Sequence, residues 1–141
     1  MLRNLVFLVL LSAGGSAASE EPDWDALSRA RNTALECVSP ASFAALFALA
    51  SSGTYSGADP SEALSEANED AFLRCPVKFL QALKQQPPST RSTIIDFYFG
   101  IMHEPWELGA ILGRLQHHPE LGEWVTIDFA EYLRAKASFE N

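Results

Sequence analysis

Prolines set the frame of this chain. Pro40, Pro60, Pro76, Pro88, Pro105 and Pro119 each stand just ahead of a segment with helix-like apolar spacing. Proline has no N–H to give a helix and its φ is already close to the helical value, so it suits a first helical position and disrupts an interior one. Ser39, Asp59 and, less ideally, Glu104 precede three of these prolines as cap residues. The spacing predicts helices near 23–37, 40–51, 60–74, 76–86, 88–102, 105–117 and 119–137. Short connections favour antiparallel neighbours, with one longer exception at Ser51–Ala58.

Apolar periodicity supports these segments. Leu64, Ala67, Ala71 and Phe72 form one stripe of the third, opposite Glu62, Glu66 and Glu69. Val77, Phe79, Leu80 and Leu83 repeat the pattern in the fourth, and Leu108, Ile111, Leu112 and Leu115 in the sixth. Residues 93–102 are apolar nearly all round and are expected to be the central buried element. Their β-branched and aromatic content also suits a strand, as does Val125-Thr126-Ile127, but no second strand is at hand to pair with. The expected fold is all-α, a compact bundle of five to seven short antiparallel helices around Phe79, Phe97, Phe99, Leu112 and Trp124.

The first residues give an address. Arg3 precedes the apolar run Leu5–Leu11, and small residues from Ser12 to Ala18 supply a cleavage site, so residues 1–18 read as a secretory signal peptide. That run is too short to span a bilayer. The expected organisation is then a signal at 1–18, a frayed tail at 19–22 and a single soluble helical domain at 23–141, periplasmic or secreted. Cys37 and Cys75 are the only cysteines, and export makes them a disulfide staple between the ends of the first and third helices. A redox pair or a metal site would call for different spacing or further ligands.

Removal of Arg3 leaves nine Lys and Arg against 18 Asp and Glu, a net charge near −9. Nucleic acid and anionic membrane both demand clustered cations, so neither is an expected partner; a basic protein is. No cofactor and no metal are expected. His103-Glu104-Pro105-Trp106-Glu107 shares its first two residues with the zincin pattern H-E-x-x-H, but Glu107 replaces the second histidine and Pro105 forbids the helix interior. His117 and His118 suit the C-terminal end of the sixth helix. No G-x-S-x-G elbow or phosphate-binding glycine loop is present. Gly109 and Gly113, four apart, can admit a close helix neighbour. Glu104 and Glu107 beside Trp106 are the best pair for glycosidase-type chemistry, though acidic residues at a helix start are expected from its dipole alone.

The feature that points outward is acidic. Asp59, Glu62, Glu66, Glu69 and Asp70 cluster on the third helix, and Tyr55 centres the Gly- and Ser-containing loop before it. A loop presenting Tyr beside a negative helix can enter the cleft of a partner with a basic rim. The expectation is therefore a protein-binding domain, an inhibitor or immunity-type protein that blocks a basic secreted hydrolase or toxin. A small hydrolase using Glu104 and Glu107, and a chaperone or adaptor with a large apolar patch, are the alternatives.

Overall fold

Pro76, Pro88 and Pro105 each occupy the first position of an α-helix, and Pro40 opens a 3-10 turn, Pro40–Phe43, that runs on into a helix. These elements belong to a computed structural model that describes residues 21–141. The expected signal peptide lies outside the described residues, as do residues 19 and 20; Glu21 and Pro22 precede the first helix without regular structure. The helices are α1 Trp24–Leu35, α2 Ala44–Ser51, α3 Ala58–Arg74, α4 Pro76–Lys84, α5 Pro88–Phe97, α6 Pro105–Leu115, α7 Gly122–Asp128 and α8 Ala130–Phe139. No strand occurs among the described residues.

The fold is all-α, with local corrections. Pro60 is the third residue of α3, whose cap is Gly57 at φ 90°, so Asp59 sits inside the first turn instead of before it. The first four helical N–H groups have no intrahelical partner, which is why a proline is tolerated there as well. Pro119 lies in a turn, and α7 begins only at Gly122. The expected last helix is two: Phe129, at φ −109° and ψ 24°, leaves helical geometry. Its buried ring packs on Phe99, Trp124 and Tyr132. Eight α-helices result among the described residues, in place of five to seven.

The main helix pairings fall into two groups, α1 to α5 and α6 to α8. Phe99 joins them. Its ring lies 5.2 Å from that of Phe72 and 6.2 Å from Phe79 on one side, and 5.8 Å from Phe129 and 5.4 Å from Tyr132 on the other. Such pairs contribute about 0.5–1.5 kcal/mol each beyond the area they bury. Leu112 and Phe79 are fully buried and Trp124 partly so, but Phe97 is 65% exposed. Residues 93–102 are therefore not one buried element: helix α5 stops at Phe97 and the chain turns.

In the second group α6 runs against α8. A Cβ at Gly109 would strike the carbonyl oxygen of Tyr132, while Gly113 leaves ordinary contact room for the Lys136 side chain. Cys37 and Cys75 are bonded, with their Cα atoms 6.2 Å apart. Cys37 takes φ 55°, the left-handed value that often follows a helix end. Cys75 ends α3 and starts α4. The bridge thus pins the end of α1 to the corner between two later helices.

Candidate interaction surface

The acidic cluster does not form one surface. Asp59, Glu62 and Glu66 are exposed. Asp70 accepts from Nε and Nη2 of Arg31 on α1, at 3.1 and 2.7 Å. Glu69 is 0% exposed. It shares its helical face with Glu62 and Glu66, but the chain after α5 folds over the later half of α3 and covers it. Tyr55 is likewise buried, at 1% exposure, with its hydroxyl donating to the Asp23 carbonyl at 2.7 Å and its ring edge-on to Trp24. The expectation of an exposed Tyr55 and Glu69 is corrected: one ring fills the seam between α1 and the loop, and one carboxylate is an internal acceptor.

What Glu69 accepts defines a different site. Oε2 takes hydrogen bonds from the Ser65 hydroxyl at 2.6 Å and the Met102 N–H at 3.1 Å; Oε1 takes the His103 N–H at 2.8 Å. The His103 ring places Nδ1 3.3 Å from Oε1. A buried carboxylate is tolerated only when its lone pairs are met in this way. The segment it holds, Tyr98–Glu104, connects α5 to α6 without helical structure of its own.

Other groups fasten the same segment. The Tyr98 hydroxyl donates to the Tyr55 carbonyl at 3.0 Å, and the Tyr132 hydroxyl to the Phe99 carbonyl at 2.9 Å. Burial, then the carboxylates of Glu69, Glu131 and Asp96, push the Tyr132 hydroxyl well above the usual tyrosine range, which keeps it a donor. Gly100 sits beneath that phenol at φ 78°, where a Cβ would lie 2.5 Å from the hydroxyl oxygen. Only glycine fits both the backbone angle and the space. At the far end the Glu104 N–H donates to the Glu107 carboxylate at 3.3 Å, closing the capping box of α6.

With Phe99 turned inward and the backbone tied at both ends, Ile101 and Met102 face outward, each nearly half exposed. Phe97, at 65%, and Ile127 on α7, at 67%, extend the apolar surface. Phe97 and Ile101 border one hollow with Asp96; Ile101 and Ile127 border the next with Asp96, Asp128 and Glu131. The sequence singled out neither Ile101 nor Met102, because an apolar run reads as core until something bends it.

The candidates for catalysis are not assembled around a cleft. Glu104 and Glu107 sit exposed at the start of α6, and Trp106 stacks face to face on Phe139 with centroids 4.0 Å apart. His118 follows the end of α6 and its Nδ1 accepts the Glu120 N–H at 3.2 Å, so the imidazole serves the turn and not the last helical carbonyls. No group of three or more metal-type side chains occurs among the described residues, and none of their helices is long and apolar enough to cross a membrane.

Comparison with protein-family models, with curated proteins and with solved structures gave no match.

Proposed function

We propose that this chain is an exported protein-binding domain, an inhibitor or immunity-type protein that blocks a basic secreted hydrolase or toxin, and that it does so through the Tyr98–Glu104 loop. One observation supports the reading: the buried Glu69 carboxylate and the partly buried Tyr132 phenol fix the backbone of a loop whose Ile101 and Met102 are nearly half exposed. A fixed loop loses little conformational entropy when a partner closes on it, which is how inhibitory loops reach high affinity. Acidic residues beside the apolar ones, Asp96, Asp128 and Glu131, favour a basic rim. Export rests on the Leu5–Leu11 run and on the Cys37–Cys75 bridge, a bond that persists in oxidising compartments.

The test is affinity capture by the oxidised domain from an extracytoplasmic extract, repeated with Met102→Asp and with Glu62→Lys/Glu66→Lys. The expected result is one stoichiometric basic protein, lost with Met102→Asp and kept with the α3 pair. Loss with the α3 pair alone would return the contact to the acidic stripe, and equal capture by all three proteins would sink both surfaces.

A further inference from the structure

The apolar side chains around the loop belong to something longer than a patch. A hollow of about 400 Å³ between the Tyr55 loop and Phe97 shares Asp96 and Ile101 with a second, of about 570 Å³, between α5 and the α7–α8 corner. The second shares Ile127 with a third, of about 820 Å³, walled by Trp124 and the ends of α4 and α7. Through these shared residues the three hollows adjoin in series as one band, with Asp96 and Ile101 at the first junction and Ile127 at the second. Exposed Phe97, Ile101 and Ile127, which border these hollows, leave apolar area in water that a partner would cover.

Charge limits what can cover it. Asp96, Asp128, Glu131, Glu120 and Glu123 line the band against Lys84 and Arg134. Five carboxylates against two cations leave the band negative even with Arg134 4.0 Å from Glu131 and Lys84 Nζ donating to the Glu120 carbonyl at 2.7 Å. A second copy would bring the same acidic face, and the chain's formal charge of −8 opposes that pairing. We infer that the band seats one continuous amphipathic segment of the partner, whose apolar residues enter the hollows on either side of Ile101 and Ile127 and whose Lys and Arg face Asp96, Asp128 and Glu131. The inference rests on the protein-binding reading above and adds the chemistry of the bound segment to it.

Fluorescence anisotropy with a labelled amphipathic Leu/Lys helical peptide of about five turns tests it directly. Controls are a scrambled peptide of the same composition and a Leu/Glu counterpart. Binding at least about tenfold tighter for the ordered Leu/Lys peptide, weakened about tenfold by Phe97→Asp and by Ile127→Asp but not by Glu62→Lys/Glu66→Lys, supports the assignment. Both substituted side chains are exposed, and helical circular dichroism checks that the variants fold. Equal binding of ordered and scrambled peptide, binding of the Leu/Glu peptide, or no binding overturns it. So does a dimer in sedimentation that Phe97→Asp dissolves, which would give the face to a second copy. If the peptide fails while captured protein is still lost with Met102→Asp, the segment assignment falls and the inhibitor reading stands.

Discussion

Glu69 and His103 meet twice, through the His103 N–H at 2.8 Å and through its ring Nδ1 at 3.3 Å, although 34 positions separate them. Between them they join the middle of α3 to the mouth of α6, and Met102 is carried along.

Replacing Glu69 by Ala leaves the Met102 and His103 N–H groups and the Ser65 hydroxyl without their acceptor. The expected loss is on the order of 3 kcal/mol, since each buried group left unmade costs about 1–3 and some will find water. Glu69→Gln keeps one acceptor oxygen and should lose clearly less. Urea midpoints give the first figure; faster amide exchange at Met102 and His103 than at Phe79 shows that the loop, and not the whole domain, has opened. An unchanged midpoint in Glu69→Ala would mean the carboxylate does not hold the loop.

Gly100→Ala and Gly53→Ala separate backbone strain from collision. Both glycines have positive φ, 78° and 74°, but a Cβ at Gly53 meets nothing within 4 Å while one at Gly100 runs into the Tyr132 phenol. The Gly53 change should cost about 1 kcal/mol, the left-handed penalty alone. The Gly100 change should cost at least about twice that, with Tyr132 displaced from the Phe99 carbonyl. Equal shifts in thermal midpoint would show that Tyr132 yields freely.

Reducing the Cys37–Cys75 bridge opens a closed loop with a sequence separation of 38. The chain-entropy estimate puts the loss at about 4 kcal/mol, a large share of the roughly 5–15 kcal/mol typical of a domain. Denaturant midpoints with and without reductant measure it, and a difference below about 1 kcal/mol would point to a denatured state already restrained near the bridge.

Alkaline pH should unfold the protein through its tyrosines. Burial raises the hydroxyls of Tyr55, Tyr98 and Tyr132 above the usual 10.0. The unfolded chain therefore gives up these protons first, so their contribution is intact below about pH 10 and falls as pH climbs toward the folded values. Stability measured from pH 8 to 11.5 should be level in this respect at first and then decline. Tyr132→Phe, weaker throughout for want of the bond to Phe99, should decline less steeply; an equal slope would remove Tyr132 from the explanation.

Helix starts were legible wherever a proline could only sit at a first turn, as at Pro76, Pro88 and Pro105. Pro60 and Pro119 show the limit, because the same ring also fits a third helical position and a plain turn. A close helix neighbour at Gly109 and the cysteine pair followed from spacing and compartment, though which helix lies there did not. The Tyr98–Glu104 loop did not. Residues 93–102 are apolar on every side, and periodicity has no term for a phenol thirty-three positions away that draws the Phe99 carbonyl toward it. Glu69 was counted with its exposed neighbours because its burial is imposed by the loop, a tertiary event; its only local trace is Ser65, one turn back, as a donor.

The fastening of that loop through backbone N–H and carbonyl groups leaves the side chains of Ile101 and Met102 outside its hydrogen bonds and nearly half exposed. The bonds that hold the loop and the side chains it displays are therefore separable. Side chains at these two positions can be exchanged without removing a hydrogen bond to Glu69 or from Tyr132, so the surface chemistry there can change while the frame beneath it stays in place.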